Sequence, residues 1–339
     1  MVRNSVKDLF AFEEDKVSNE DEVVLIFDGH NLAHKTVFTA SFHNPDDTEF
    51  RLWKHQMIGS ILYTIDKFKP NKVVFAFDGK RSWRYDIYPN YKANRKANRA
   101  KQKQTIDFDA WYPIFNSFVE DLKKVFCNTY VLQIPNCEAD DVMAVLSRDV
   151  FSKPGMRVIN ITNDSDMIQL TSMNHVSQYD GKKLVKCIDP KKEIELKVLT
   201  GDISDNILGI KYGVGKVTAE KILKSGLDNF IITECNKIVT SKDVEKVKKQ
   251  WRDTFEGMDI SAIRKEVENR IRNNYKLNTQ LIKFDHIPIE IKQRIINTFN
   301  EYELMELDSK KVVDFFIKNK MVKHLDSWNN FSDLIKSLG

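Results

Sequence analysis

No apolar run in this sequence approaches the ~20 residues needed to cross a bilayer, which argues against a membrane-spanning helix. The first residues carry both charge signs and no apolar stretch, so no signal peptide is expected. Cysteine is scarce. Cys127, Cys137, Cys187 and Cys235 show no Cys-x-x-Cys spacing, which argues against a disulfide frame or zinc site and fits reduced thiols in a cytoplasmic protein. Internal repeats and low-complexity tracts are absent. Neither charge sign dominates: 53 Lys and Arg against 49 Asp and Glu give +4, so the placement of charge says more than its sum.

What is present is a chain of 339 residues, 42% hydrophobic, long enough for a sizeable core and two domains. Residues 5–16 pattern as a short amphipathic helix and 17–22 as a polar link. The apolar run at 23–27 suits a strand buried on both faces of a parallel sheet and ends at Asp28-Gly29-His30. A helix is expected over 51–68. Residues 73–77 then repeat the strand pattern and end at Asp78-Gly79, which implies a right-handed parallel crossover. A lone Asp at a strand end could simply cap the next helix. Two with the same Phe-Asp-Gly ending favour a shared site, because open α/β sheets bind ligands at the carboxyl ends of their strands.

Helix is expected again over 108–125, a third strand at 130–133 and a fourth at 157–161. Residues 176–188 read as a hairpin about Asp180-Gly181 that ends the sheet. After the third strand, Glu138-Ala139-Asp140-Asp141 places three carboxylates at the head of an apolar helix. A helix N-terminus tolerates such charge. Hard divalent cations also want oxygen ligands, and more acids arrive at equivalent places: Asp164 and Asp166 after the fourth strand, then Asp202 and Asp205.

Residues 80–103 differ sharply. Lys80, Arg81, Arg84, Lys92, Arg95, Lys96, Arg99, Lys101 and Lys103 face one acid, Asp86, with Trp83, Tyr85, Tyr88 and Tyr91 interleaved. Cations mixed with aromatics serve phosphate contact and base stacking, and so long and charged a stretch is expected to project from the core. Gly213-Val214-Gly215-Lys216 precedes a helix expected at 217–224, whose first amides are exposed to an anion. Residues 241–275 are charged and helical, and the basic side formed by Lys242, Lys246, Lys248, Lys249 and Arg252 is either a solvated face or a DNA contact.

The nine acids Asp28, Asp78, Glu138, Asp140, Asp141, Asp164, Asp166, Asp202 and Asp205 would repel one another severely without cations. Two Mg²⁺ ions ~3.5–4 Å apart would neutralise them and serve in-line attack on a phosphodiester. Lys92 and Arg95 could add positive charge at the transition state.

In their order, Phe27-Asp28-Gly29, Phe77-Asp78-Gly79, Tyr91-Lys92-Ala93-Asn94-Arg95, Glu138-Ala139-Asp140-Asp141, Asp164-Ser165-Asp166 and Gly201-Asp202-Ile203-Ser204-Asp205-Asn206 resemble the structure-specific 5′-nuclease (flap endonuclease) family. Within it the chain is most similar to the ribonuclease H branch of T-even-like bacteriophages, and residues 281–288 also resemble that branch. The resemblance spans roughly residues 23–300. It implies an α/β fold with a mostly parallel central sheet flanked by helices, a helical arch insertion and a helical carboxyl-terminal DNA-binding portion. The corresponding division is an extension at 1–22, a nuclease core at 23–200 with the arch at about 80–118, and a helix-three-turn-helix and helical portion at 201–339.

By the same resemblance Asp28, Asp78, Glu138, Asp140 and Asp141 would serve a first metal site, and Asp164, Asp166, Asp202 and Asp205 a second, for Mg²⁺ or Mn²⁺. Tyr91, Lys92 and Arg95 would act at the scissile phosphate. Arg81, Arg84, Lys96, Arg99, Gly213, Gly215 and Lys216 would contact nucleic acid. Implied substrates are branched or nicked duplex DNA and RNA·DNA hybrid, cut by a monomer in the cytoplasm (the host's, for a phage product), with a single-stranded-DNA-binding protein as a candidate partner. The family commonly runs Gly-Ile-Gly-x-Lys-Thr, whereas Lys216 here comes one position early, so the glycine amides are the safer phosphate contacts. A clamp-binding tail is not evident. A haloacid-dehalogenase-like phosphatase would need an acid where His30 stands, and a non-catalytic DNA-binding protein would have no use for the acids.

Overall fold

The computed structural model describes residues 22–44, 46–95, 106–125, 128–251, 253, 255–306 and 308–321. The helix expected at 5–16, together with Lys96 and Arg99, lies outside the described residues. In chain order the main elements are β1 (Glu22–Asp28), α1 (Gly29–His43), α2 (Arg51–Phe68), β2 (Lys72–Phe77), the short α3 (Arg84–Ile87), α4 (Phe108–Val125), β3 (Thr129–Gln133), α5 (Ala139–Val145), β4 (Met156–Ile161) and β5 (Val176–Tyr179). There follow α6 (Pro190–Thr200), α7 (Lys216–Ser225), α8 (Leu227–Asn236), α9 (Ser241–Trp251), α10 (Ile260–Ile282), α11 (Ile289–Asn300) and α12 (Ser309–Lys318). No helix among the described residues is long and apolar enough to cross a membrane.

The five strands pair in parallel in the order β3-β2-β1-β4-β5. The chain winds outward from β1 to β2 and β3, then returns to place β4 on the other side of β1. Strand order therefore reverses between β1 and β4, the point at which such sheets open a crevice at their carboxyl ends. Register sets Phe27 opposite both Phe75 and Ile161, so the acids that follow these strands emerge at one edge.

Alternation along the strands feeds two cores. Leu25, Phe27, Phe75 and Phe77 face α1, α2 and α4. Val24, Ile26, Val74 and Ala76 face α5 and α11. Phe27 and Phe75 stack with ring centroids 5.1 Å apart, and each fully buried side chain of this size contributes about 1.5–3 kcal/mol. The repeated glycine has a packing cause. A Cβ at Gly29 would lie 2.2 Å from the Phe77 ring, and one at Gly79 would lie 2.2 Å from the Ile134 carbonyl oxygen.

Residues 176–188 make the expected turn about Asp180-Gly181, with the Val185 N–H donating to the Gln178 carbonyl at 2.8 Å and the Asp180 N–H to the Lys183 carbonyl at 3.1 Å, and the first arm is also the edge strand of the sheet. Residues 176–179 form β5, which pairs in parallel with the open edge of β4. After the turn, the return arm makes a single antiparallel bridge, Tyr179 to Leu184. The stretch after Asp164 is a 3₁₀ helix, Ser165–Ser172, and the charged region 241–275 is split between α9 and α10.

Packing also departs from a division at 200/201. Leu196 and Leu199 of α6 join the helical cluster built by α7, α8 and α10. Beyond α10 the chain returns to the sheet: Phe284, Ile291 and Ile295 pack on one face, and Val312, Phe315 and Phe316 on the other. The apolar faces of α11 and α12 are thus buried against the two faces of the sheet.

Candidate active site

Asp28 ends β1 and caps α1, its Oδ1 accepting from the Asn31 N–H at 2.9 Å. Its Oδ2 accepts from Thr162 Oγ1 at 3.0 Å. Cap and site are therefore the same residue. Asp78 follows β2 directly; its Oδ1 accepts from the Ala139 N–H at 2.9 Å, and its own N–H donates to His30 Nδ1 at 3.0 Å. Asp164 follows β4 and caps the 3₁₀ helix through the Asp166 N–H, at 2.8 Å. Asp140 stands in the first turn of α5.

Asp28, Asp78, Glu138, Asp140 and Asp164 line one open cleft of about 560 Å³, with Lys80, Lys92 and Arg95 on its walls. Burial, reinforced by repulsion from Asp78 and Asp164, pushes the Asp28 carboxyl up to about 7. Burial raises Asp140 well above the usual carboxylate range, and Asp164 and Asp28 raise it further. Opposed to this, Glu138 is held at about 2: burial would raise it, but the charges of Lys92 and Arg84 prevail.

Asp141 and Arg84 correct the expectation. Asp141 is fully buried and turns away from the cleft. Its Oδ2 accepts from Trp83 Nε1 at 3.1 Å, from Arg84 Nη1 at 3.0 Å and from the Glu138 N–H at 2.9 Å. This is the back-reaching arm of a capping box, so Asp141 is not offered to a metal. Arg84 is likewise buried, its Nη1 also 3.0 Å from Glu138 Oε2 and its Nε 2.9 Å from the Leu281 carbonyl. It lies beneath the acids and cannot reach a phosphate. Arg81 stays at the surface, paired with Asp86 at 2.5 Å.

The remaining acids form two further groups. Lys197 Nζ bridges Asp166 and Asp202, 2.7 Å from Asp202 Oδ2. Asp166 rises to about 6 through burial, against the pull of Lys197. Asp205 accepts from Tyr91 Oη at 3.0 Å and from Arg95 Nη2 at 2.8 Å, with Lys92 Nζ 3.7 Å away. Tyr91 Oη also lies 3.0 Å from Glu138 Oε2, and Lys92 Nζ bonds Glu138 Oε1. Lys92 has φ 55, in the left-handed region, where a non-glycine residue persists only if its surroundings hold it. Here the Lys92 N–H donates to the Asp205 carbonyl at 2.8 Å.

Sequence reasoning missed His30, Trp83, Thr162 and Lys197 as partners of these acids. Lys197 carries no local signal, since it is one of many lysines on a charged helix. Gly213 (φ +84) and Gly215 stand outside the cleft, in the turn before α7, with open space where a Cβ would go. Gly215 caps α7 and supplies no side chain to the helix. Its own N–H lies 3.2 Å from the Gly213 carbonyl, so the first-turn amides from Lys216 onward are the better anion donors.

Residues 23–198 match the 5′-3′ exonuclease, N-terminal resolvase-like domain family. The chain belongs to this 5′-3′ exonuclease family. Residues 189–331 match the T4 RNase H C-terminal domain, a boundary that follows α6 into the helical cluster. Ribonuclease H of Enterobacteria phage T4 is 28% identical over 319 residues, 91% of this chain and 96% of that protein. The 5′-3′ exonuclease of Mycoplasmopsis pulmonis is 25% identical over 89% of this chain and 96% of its own length. A thermostable DNA polymerase I of Thermus thermophilus is 28% identical over 72% of this chain, which spans 29% of that polymerase. A bacteriophage T5 5′-exonuclease with bound zinc shares the fold at TM-score 0.55 and 18% identity, over 83% of this chain and 99% of that one. A T5 flap endonuclease with DNA and metal ions superposes equally well, at TM-score 0.55 and 18% identity over 83% of this chain and 100% of that one. This exonuclease-family chain is a nuclease, with an all-parallel sheet flanked by helices.

Proposed function

We propose that this 5′-3′ exonuclease-family chain hydrolyses phosphodiesters near the 5′ ends of branched or nicked duplexes and RNA·DNA hybrids, and removes RNA primers during phage DNA replication. The observation that carries the reading is the meeting of Asp28, Asp78, Asp140 and Asp164 in one cleft whose walls bear Lys92 and Arg95.

The donor set fits two Mg²⁺ ions, with Mn²⁺ able to substitute. All donors are hard carboxylate oxygens, and for Asp28 and Asp140 burial and repulsion from neighbouring acids disfavour the charged form in the absence of a cation. Among the described residues no three His, Cys, Asp or Glu side chains stand close enough together to hold a metal ion as they are. Mg²⁺ keeps several waters and is bound through one or two carboxylates. Asp28, Asp78, Asp140 and Asp164 would hold the ions, with Glu138 ionised beside them. Bound ions supply an acidified water and positive charge for the scissile phosphate.

The chain's own groups orient the rest. Tyr91 ties Glu138 to Asp205, fixing the base of the arch against the acids. Lys92 and Arg95, pre-paired with those acids, set positive charge beside the phosphate without later reorganisation. The first turn of α7 offers uncapped amides to a duplex phosphate away from the cut, contacts that position without reading sequence. A single-stranded-DNA-binding protein is the proposed partner, and the chain acts as a monomer in the cytoplasm of the host cell.

The deciding experiment uses end-labelled 5′-flap and RNA·DNA hybrid substrates with and without Mg²⁺. Cleavage should require the ion and vanish in Asp78→Asn and Asp140→Asn. Cutting that survives chelation, or either variant at the normal rate, overturns the reading.

A further inference from the structure

A second cavity adjoins the acidic cleft. It lies between α1, α2 and the turn after β5, and its volume of about 470 Å³ falls within the ~300–1,000 Å³ range of small-molecule sites. Phe27 and Ile161, both buried, give it an apolar floor. Its rim carries Lys35, Lys182 and the exposed ring of Tyr63. Asp180, the acid on this lining, has its carboxylate turned to the backbone N–H groups of Lys182 and Lys183, at 2.8 and 2.9 Å. The rim is therefore basic where the neighbouring cleft is acidic.

The two spaces are neighbours. They share Asn31, Lys35 and Asn163. The wall between them is fixed by the Asn163 N–H donating to Asn31 Oδ1 at 3.3 Å and by Thr162 holding Asp28. Lys35 Nζ spans from α1 to the Asp180 carbonyl at 2.8 Å, at the shared edge.

We propose that this cavity is a subsite for the 5′-terminal nucleotide of the strand being cut, with the base on the apolar floor beside Tyr63 and the 5′-phosphate at Lys35 and Lys182. The inference rests on the nuclease reading above and names where the strand end goes. A strand whose scissile phosphate sits at Asp28 and Asp164 reaches the cavity past Asn31 and Asn163. The next phosphate then leaves a crowd of carboxylates for two lysines, the direction that charge complementarity favours. The volume suits one nucleotide, so occupancy would register a strand end rather than a passing strand.

The test uses the full-length protein with Mg²⁺ on two substrates, a 5′-phosphorylated duplex end and a long 5′ flap. Thr39→Trp, from the exposed rim on α1, and Ser60→Trp, from α2, each place an indole in the cavity. Mononucleotide release from the duplex end should fall about tenfold or more, with flap cutting unchanged within about twofold. Lys182→Ala should slow trimming of 5′-phosphorylated ends and spare 5′-hydroxyl ends. A Thr39→Trp protein with wild-type circular dichroism and an unchanged ratio of end trimming to flap cutting overturns the subsite. So does a wild-type protein that cuts flaps yet trims no ends. A wild type that cuts neither substrate instead overturns the nuclease reading on which the subsite rests.

Discussion

Arg84 lies beneath the acidic cluster with its Nη1 3.0 Å from Asp141 Oδ2, and both side chains are buried. An arginine from the most basic stretch of the sequence is thus an internal counter-ion, and it also ties α3 to the carboxyl end of α10 through Leu281.

Removing one partner of such a pair strands the other charge, at a cost of about 3–5 kcal/mol. Arg84→Met should therefore lower unfolding free energy by that amount in urea titrations. Arg84→Met combined with Asp141→Leu should recover part of the loss, because the stranded carboxylate goes too. Unchanged stability in Arg84→Met would show that the pair is solvated.

The metal-free protein should lose stability as pH rises from about 4 to 7. Asp28 is raised from 3.8 to about 7 when folded, so across that window the folded state holds a proton that the unfolded state has released, and raising the pH favours unfolding. Glu138, lowered from 4.5 to about 2, acts oppositely and in a lower window. Melting temperatures in chelator should therefore decline between pH 4 and 7, and Asp28→Asn should flatten that decline. A flat wild-type profile would contradict the crowding of these acids.

Lys92→Ala should slow single-turnover cleavage by ~2.7–4 kcal/mol in the barrier, as loss of a preorganised charge commonly does. Duplex affinity should change much less, since Lys92 is buried against Glu138 rather than spread along a duplex surface. Equal losses in rate and affinity would mark Lys92 as a general electrostatic tether.

Lys197→Met should destabilise the metal-free protein, because Asp166 and Asp202 then face each other without the bridging ammonium. Added Mg²⁺ should raise the melting temperature of this variant more than that of the wild type. The same Mg²⁺-induced shift in both proteins would show that the bridge does not balance those acids.

Gly215 has φ −96 and open space around its Cβ position, so Gly215→Val should fold normally. It should weaken duplex binding for all sequences alike and flatten the salt dependence, by blocking close approach of a phosphate to the first turn of α7. Gly213→Val, at φ +84, should also lose stability through backbone strain. Wild-type duplex affinity and salt slope in folded Gly215→Val would remove α7 from the interface.

The sequence alone determined the sheet and its functional edge. Apolar runs too short for helices, each closed by Phe-Asp-Gly or an acidic cluster, place carboxylates at the carboxyl ends of parallel strands wherever the sheet goes. The glycines were legible as punctuation, although their cause, the Phe77 ring and the Ile134 carbonyl, was not. Only the tertiary structure divided the nine acids. Asp140 and Asp141 are neighbours in sequence, yet about 100° of helix rotation sends one to the cleft and the other to Arg84 beneath it. Asp166 and Asp202 are joined by Lys197, and Asp205 is held by Tyr91 and Arg95. Lys197 lies 31 residues from Asp166, and Tyr91 lies 114 from Asp205, and no local spacing encodes contacts that form only when the sheet, the segment before Arg95 and α6 pack together.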